Sequence, residues 1–270
     1  MSPKNILSHR NRTLLRELVI TDFKLRYQSS VLGYMWSLVR PLFLSGILIL
    51  VFGYALKIGA GIPHYPIYLL LGIVMWNFFV EATNNGLSSI VGRGDLIRKV
   101  NFPKYIIVVS GTISALINLA ITMCVVFVFM AISHIGIRPA IAVFPLLIIE
   151  LYVAALGMAF FLAALYVKYR DIGYVWELVL QVAFYATPII YPLSLVAHKH
   201  STLAKLMLLN PIAQIIQDGR YAMISPDTET LSKATHSLLA TALPVVVIVV
   251  VMVAAAEYFR ANSRYFAENV

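Results

Sequence analysis

The chain has 270 residues, 60% of them hydrophobic and 12% charged, with a mean hydropathy of +0.85. Length alone would allow one or two soluble domains, but this composition describes a polytopic membrane protein and leaves no stretch of about 50 residues for a separate soluble domain. The formal charge of +9 is spread along the flanks of apolar runs rather than gathered on a soluble face, which points to membrane topology and excludes nucleic acid as a partner.

The N-terminal region is polar and is expected to carry no cleavable signal peptide, because about 40 residues precede the first apolar run. Within it Leu14, Leu15, Leu18, Val19 and Phe23 share one helical face, with Arg12, Arg16, Glu17 and Lys24 off that face. Such a helix is expected to lie along a membrane surface. From Asp22 to Pro41 the chain enters the first span. Arg26 and Arg40 bracket Tyr27, Tyr34 and Trp36, side chains suited to the headgroup level, where simple interfacial anchoring is an equally good reading.

Six segments are expected to cross the membrane: Ser37–Leu56, Pro66–Leu87, Tyr105–Ser133, Ala140–Val167, Tyr174–Ile190 and Leu238–Phe259. With the N-terminus inside, fifteen basic residues fall in the inner connections and six in the outer ones, so both termini are expected to be cytoplasmic. The second span carries Asn77, Glu81, Asn84 and Asn85 among Trp76, Phe78 and Phe79. Polar groups in a membrane helix face protein or a water-filled path, and for Glu81 a buried pairing with a neighbouring helix competes with a functional role. The basic segment Gly92–Lys104 can form a turn or two of helix with Leu96, Ile97 and Val100 on one side and Arg93, Asp95, Arg98 and Lys99 around it. In the third span, Ser110, Gly111, Ser114 and Ala115 permit close helix packing, and Glu150 lies in the fourth. Pro188 and Pro192 break the fifth span. Beyond them Leu203–Leu209 and Ile212–Tyr221 are too short to span and too apolar for an ordinary loop, which suggests re-entrant or gate elements. His198 and His200 lack a third ligand for a zinc site.

The motifs LRYQSSVLGYMWSLVRPL at Leu25–Leu42, the basic segment, Tyr169-Arg170-Asp171, the Thr187–Pro192 run TPIIYP and Leu209-Asn210-Pro211 occur in one order along nearly the whole chain. In that order the chain resembles the permease subunits of ABC exporters for polysaccharides of the O-antigen, teichoic-acid and capsule type. The resemblance implies an all-α integral membrane fold. It has six transmembrane helices, an N-terminal amphipathic interface helix and short re-entrant gate helices before the last span. The layout would be an interface region at 1–36, spans one to five at 37–190, a gate region at 191–235, and the last span and tail at 236–270. It also implies a homodimer served by two separate ATPase subunits, a lipid-linked polysaccharide as cargo, and contact with membrane lipids.

On that reading Tyr34, Trp36, Trp76, Phe78, Glu81 and Tyr185 line the channel, and Arg26 and Arg40 meet the lipid pyrophosphate. Arg93, Asp95, Leu96, Arg98 and Lys99 couple to the ATPase, and Pro188, Tyr191, Pro192, Asn210 and Pro211 form the gate. No catalytic residue is expected. The chain has no G-x-x-x-x-G-K-[ST] run, so ATP and its Mg would be bound by the partner, and no cofactor or metal belongs to this chain; Cys124, the single cysteine, sits in an apolar run. An ABC exporter of drugs or lipids, an ion-coupled carrier using the buried carboxylates, and a membrane-embedded enzyme acting on lipid-linked sugars remain alternatives.

Overall fold

The computed structural model describes residues 9–27, 33, 35–57, 59, 61–100 and 102–266. Helix α1 (His9–Tyr27) precedes α2 (Met35–Leu48), which continues through a wide-turn segment, Ile49–Ala55. Leu56 N–H donates to the carbonyl of Val51, five residues back, at 2.8 Å, the hydrogen bond of a π-type turn. Then follow α3 (Tyr65–Ser89), α4 (Gly94–Lys99), α5 (Tyr105–Ile132), α6 (Phe144–Lys168) and α7 (Ile172–Ala186). The remaining helices are α8 (Leu193–Lys199), α9 (Ser201–Leu208), α10 (Pro211–Met223), α11 (Leu231–Thr235) and α12 (Leu238–Asn262).

Among the described residues, five helical stretches are long and apolar enough to cross a membrane: Leu38–Ala55, Tyr65–Ser89, Tyr105–Ile132, Pro139–Lys168 and Leu239–Tyr265. The chain is thus an all-helical, multi-pass membrane protein, with no strand among the described residues. The fifth expected span, Tyr174–Ile190, is realised as the 15-residue α7. At 1.5 Å per residue it reaches about 22 Å, short of the roughly 30 Å hydrocarbon layer. Pro188 explains where it stops. A proline pushes the residue before it out of helical geometry, and Thr187 is extended at φ −88°, ψ 136°.

Helix α3 is the hub. Most of its length is buried, whereas α2 and α12 are largely exposed. It packs on α5 and α6, and its approach to α6 depends on Gly86, where a Cβ would lie 2.3 Å from the Cβ of Ala159. Helix α1 turns Leu14, Leu15, Leu18 and Val19 partly inward and leaves Arg12, Arg16, Glu17 and Lys24 exposed, as its periodicity requires, and it leans on α5. The C-terminal segment folds back onto the start of α5. Phe266 is buried against Phe259, with ring centroids 5.2 Å apart, and Lys104 Nζ donates to the carbonyl of Ser263 at 2.5 Å. Burial lowers the pKa of that ammonium from its ordinary value.

The deepest polar contact lies at the opposite end of α3. Arg220 of α10 is fully buried. Its Nε donates to the carbonyl of Tyr68 at 3.0 Å, its Nη1 to that of Pro188 at 2.6 Å and its Nη2 to that of Ile189 at 2.7 Å. The guanidinium lies 3.6 Å from the centroid of the Tyr68 ring. Gly72 makes room for it, since a Cβ there would sit 2.3 Å from Nη2. Each carbonyl stripped of its donor in such a place costs about 1–3 kcal/mol. Arg220→Met is therefore expected to cost about 3 kcal/mol or more and to lower the thermal unfolding midpoint of the detergent-solubilised protein by several degrees. A midpoint equal to that of the unmodified protein would contradict the role of these bonds.

Candidate functional site

On α3, Asn77, Glu81, Asn84, Asn85 and Ser88 recur at three- and four-residue intervals, which places them along one helical stripe. That stripe does not face the apolar core. With Trp36 and Arg40 of α2 and Asn118 and Thr122 of α5, its first four members line a cavity of about 510 Å³. Asn118 Nδ2 donates to Glu81 Oε2 at 2.6 Å, while the Asn118 Oδ1 is buried without a partner. Asn85 Nδ2 donates to the carbonyl of Gly111 at 3.0 Å, where the missing side chain lets α3 and α5 come together. Amides and one carboxylate thus line a hollow that opens at the side of α3, where Trp36, Arg40 and Asn84 are exposed, a setting for hydroxyl-bearing or hydrated ligands.

Asn85 also lines a second cavity of about 260 Å³, nearer the basic segment, with Asp22 of α1, Ser88, Ser89, Arg93 and Ser114. The two hollows share that amide as a common wall. Arg93 forms an ion pair with Asp22, its Nη1 donates to Ser110 Oγ at 3.0 Å, and both charged side chains are about four-fifths shielded. The basic segment does form a short helix, α4. Ile97 is buried beside Phe102, Ile107 and Phe160, Leu96 is half-buried, and Asp95, Arg98, Lys99 and Val100 are exposed. The expected apolar stripe therefore shrinks to Ile97 and Leu96, with the charges outward.

The structure brings Trp36, Arg40, Phe78 and Glu81 together at the larger cavity. It does not bring Trp76 there. That indole is 5% exposed and packs between Phe79 and Phe184 in the core. Tyr185 stands apart on the exposed face of α7, 61% exposed. Tyr34 and the side chain of Arg26 lie outside the described residues. Asn118, Thr122 and the Asp22–Arg93 pair were missed in the sequence, although an amide at the centre of an apolar run is a readable signal for the first of them.

The residues around the two proline motifs are built as a unit. Pro188 and Pro192 are buried, and Asn210 Nδ2 lies 3.4 Å from Thr187 Oγ1. The Asn210 side chain also accepts from Ile212 N–H, capping α10 with Pro211 at its first turn. Tyr65 OH donates to the carbonyl of Ile190 at 2.9 Å, and Tyr191 OH to that of Tyr185 at 3.1 Å. Burial pushes the Tyr191 phenol above its ordinary pKa. Helices α9 and α10 correspond to the two short runs expected here, and α8 and α11 are two further short helices.

Residues 13–224 match the family model described as ABC-2 type transporter. The chain belongs to the ABC-2 type transporter family. Among curated proteins it is 28% identical to the O-antigen export system permease protein RfbA of Myxococcus xanthus, over 96% of this chain and 96% of that protein. It is 29% identical to the protein of the same name from Klebsiella pneumoniae, over 75% of this chain and 78% of that one. The family match takes in most of α1, both cavities and α10, whereas α11, α12 and the C-terminal segment lie beyond the matched residues.

A hydrated cavity predicts selective labelling. With Cys124→Ser as background, Asn84→Cys is expected to react with a charged, water-soluble methanethiosulfonate reagent in membrane vesicles. Leu146→Cys, on the exposed apolar surface of α6, is expected to stay unmodified. Equal protection of both positions would mean that the cavity is dry.

Proposed function

We propose that this chain is the permease subunit of an ABC exporter that moves a lipid-linked polysaccharide across the inner or plasma membrane. The observation that carries this reading is near full-length similarity to an O-antigen export permease, combined with a continuous amide- and hydroxyl-rich stripe inside an apolar helical bundle. The chain contributes transport rather than catalysis. ATP and Mg belong to two cytoplasmic ATPase subunits, and the excess of basic residues on one side supports cytoplasmic termini. In the six-span arrangement α7 is the fifth crossing, and α8–α10 act as gate elements at the outer face.

Two copies of the chain enclose the path. The first crossing exposes Trp36 and Phe43 on α2 and Leu50 and Tyr54 on its wide-turn continuation, and one face of α7 exposes Tyr174, Leu178, Val182 and Tyr185. Unpartnered aromatic stripes on the first and fifth crossings support a channel between two subunits, where sugar rings slide along aromatic surfaces without being gripped. Arg40, at the rim of the larger cavity, is suited to the pyrophosphate of the carrier lipid, together with Arg26 at the start of the entry motif. Motion from the ATPase enters through α4. Its Asp95, Arg98 and Lys99 face outward, while Arg93 passes displacement to α1 and α5 through Asp22 and Ser110.

Charge reversal at Arg98 and Lys99 is expected to weaken capture of the ATPase in mild detergent by roughly tenfold or more and to abolish ATP-dependent export. Unchanged co-purification would remove α4 as the contact. Transport by the purified chain alone, driven by an ion gradient, would favour the carrier reading instead. A charge swap tests the inner relay. Asp22→Arg alone is expected to reduce export, and Asp22→Arg with Arg93→Asp to recover a substantial part of it. Failure of the double variant to recover any export would show that the pair does not act as a unit.

A further inference from the structure

At the end of the bundle far from α4, the Gly61–Pro63 turn, Pro192–Ser194, α10 and the 225–229 turn enclose a cavity of about 90 Å³. Nothing in the export path proposed above uses it. Gln217 of α10 forms its inner wall and is fully buried. The Gln217 Oε1 accepts from Tyr68 OH and from Arg220 Nη1, each at 3.2 Å. Those two donors fix which way the amide points. They leave the Nε2 donor buried with no partner.

A buried N–H without an acceptor is uncommon in folded proteins and calls for a ligand that brings one. The outer wall offers the complementary groups, since Asp227 is exposed, Glu229 is half-buried, and Ser194 and Ser225 add hydroxyls. Carboxylates accept hydrogen bonds from hydroxyl groups, and an amide N–H donates to a hydroxyl or ring oxygen. A group that is both donor and acceptor suits both walls. A divalent cation does not, because the Gln217 N–H faces it, and no group of three or more metal-ligating side chains occurs among the described residues.

We propose that this cavity binds the hydroxylated edge of one neutral sugar ring, with Gln217 donating to a sugar oxygen and Asp227 and Glu229 accepting from its hydroxyls. The volume suits that scale. Roughly 10–15 Å³ holds one water, so the space takes a handful of waters or the ring hydroxyls that replace them. It is too small for a passing chain, and so binds one residue of the polymer as it leaves. This assignment rests on the polysaccharide reading and on the outer placement of α8–α10. Its position links it to the gate, because Gln217 and the buried Pro188 and Ile189 carbonyls are held by the same Arg220 guanidinium.

Saturation-transfer difference NMR tests it on the full chain in lipid nanodiscs free of glycoside detergents, with glucose, galactose, rhamnose and N-acetylglucosamine as probes at millimolar concentration. At least one probe is expected to receive saturation from the protein. Affinity is expected to fall by roughly tenfold in Asp227→Asn/Glu229→Gln. It is expected to fall similarly in Gln217→Glu, which keeps an acceptor toward Arg220 and Tyr68 but removes the free donor. No transfer to any probe, transfer unaltered in both variants, or calcium binding that the same substitutions abolish would each overturn the proposal. Polymer export scored in cells keeps the two readings apart. Export without a sugar signal removes the cavity assignment alone, and a sugar signal in a chain that exports no polymer supports the cavity while removing the export reading.

Discussion

A guanidinium sealed inside a membrane bundle must be solvated by the protein itself, and the region around α10 is arranged to do this for Arg220. Helical carbonyls are already engaged by their own helix, and Tyr68 in the first turn of α3 supplies one of the three that Arg220 takes. The fold obtains free carbonyls by ending α7 early. Past Ala186 the chain runs extended, and the oxygens of Pro188 and Ile189 turn to Arg220 while that of Ile190 accepts from Tyr65. The proline break and the buried cation are therefore one device, since each leaves the other with unsatisfied groups. The short helices α8–α10 are fastened to the long helix α3 through Tyr68, Gly72 and this cation.

The other end of α3 is built on a different principle. There the contacts are partly hydrated and charged, between Asp22, Arg93 and Ser110, and the C-terminal segment closes over the start of α5. Such contacts break and reform at lower cost than a sealed cation, because water can take the place of either partner. On the proposed orientation, a rigid outer end and a pliable inner end would suit a permease that receives force on one side and holds a barrier on the other. The polar stripe of α3 runs from the inner cavity toward the middle of the bundle, so movement of α4 and α1 acts directly on the walls of the larger cavity.

Much of this was legible in the sequence because apolar periodicity and prolines act locally. The spans at α2, α3, α5, α6 and α12, the interface helix, the short helix in the basic segment and the break at Pro188 all follow from runs of neighbouring residues. The polar stripe on α3 was legible too, and Trp36, Arg40, Phe78 and Glu81 do meet at one cavity. What escaped was pairing across the chain. Arg220 reads as one more outer basic residue until Tyr68, Pro188 and Ile189 are seen around it, and their separation of 31 to 152 positions leaves no local trace. Trp76 illustrates the converse. An aromatic beside polar neighbours on a span can face either way, and here helix phase turns it toward Phe79 and Phe184 rather than toward the cavity.

The shortness of α7 has a consequence for the lipid around it. In the six-span arrangement, a helix of about 22 Å stands where neighbouring helices match a hydrocarbon layer of about 30 Å. The protein cannot lengthen α7 without closing the carbonyls that Arg220 requires, so the bilayer must yield instead. With α7 as the proposed fifth crossing, lipid beside that helix would thin and its headgroups dip, at a fraction of a kcal/mol per ångström. The proposed lipid-linked cargo, crossing at such a patch, would then have a shorter dry distance to travel.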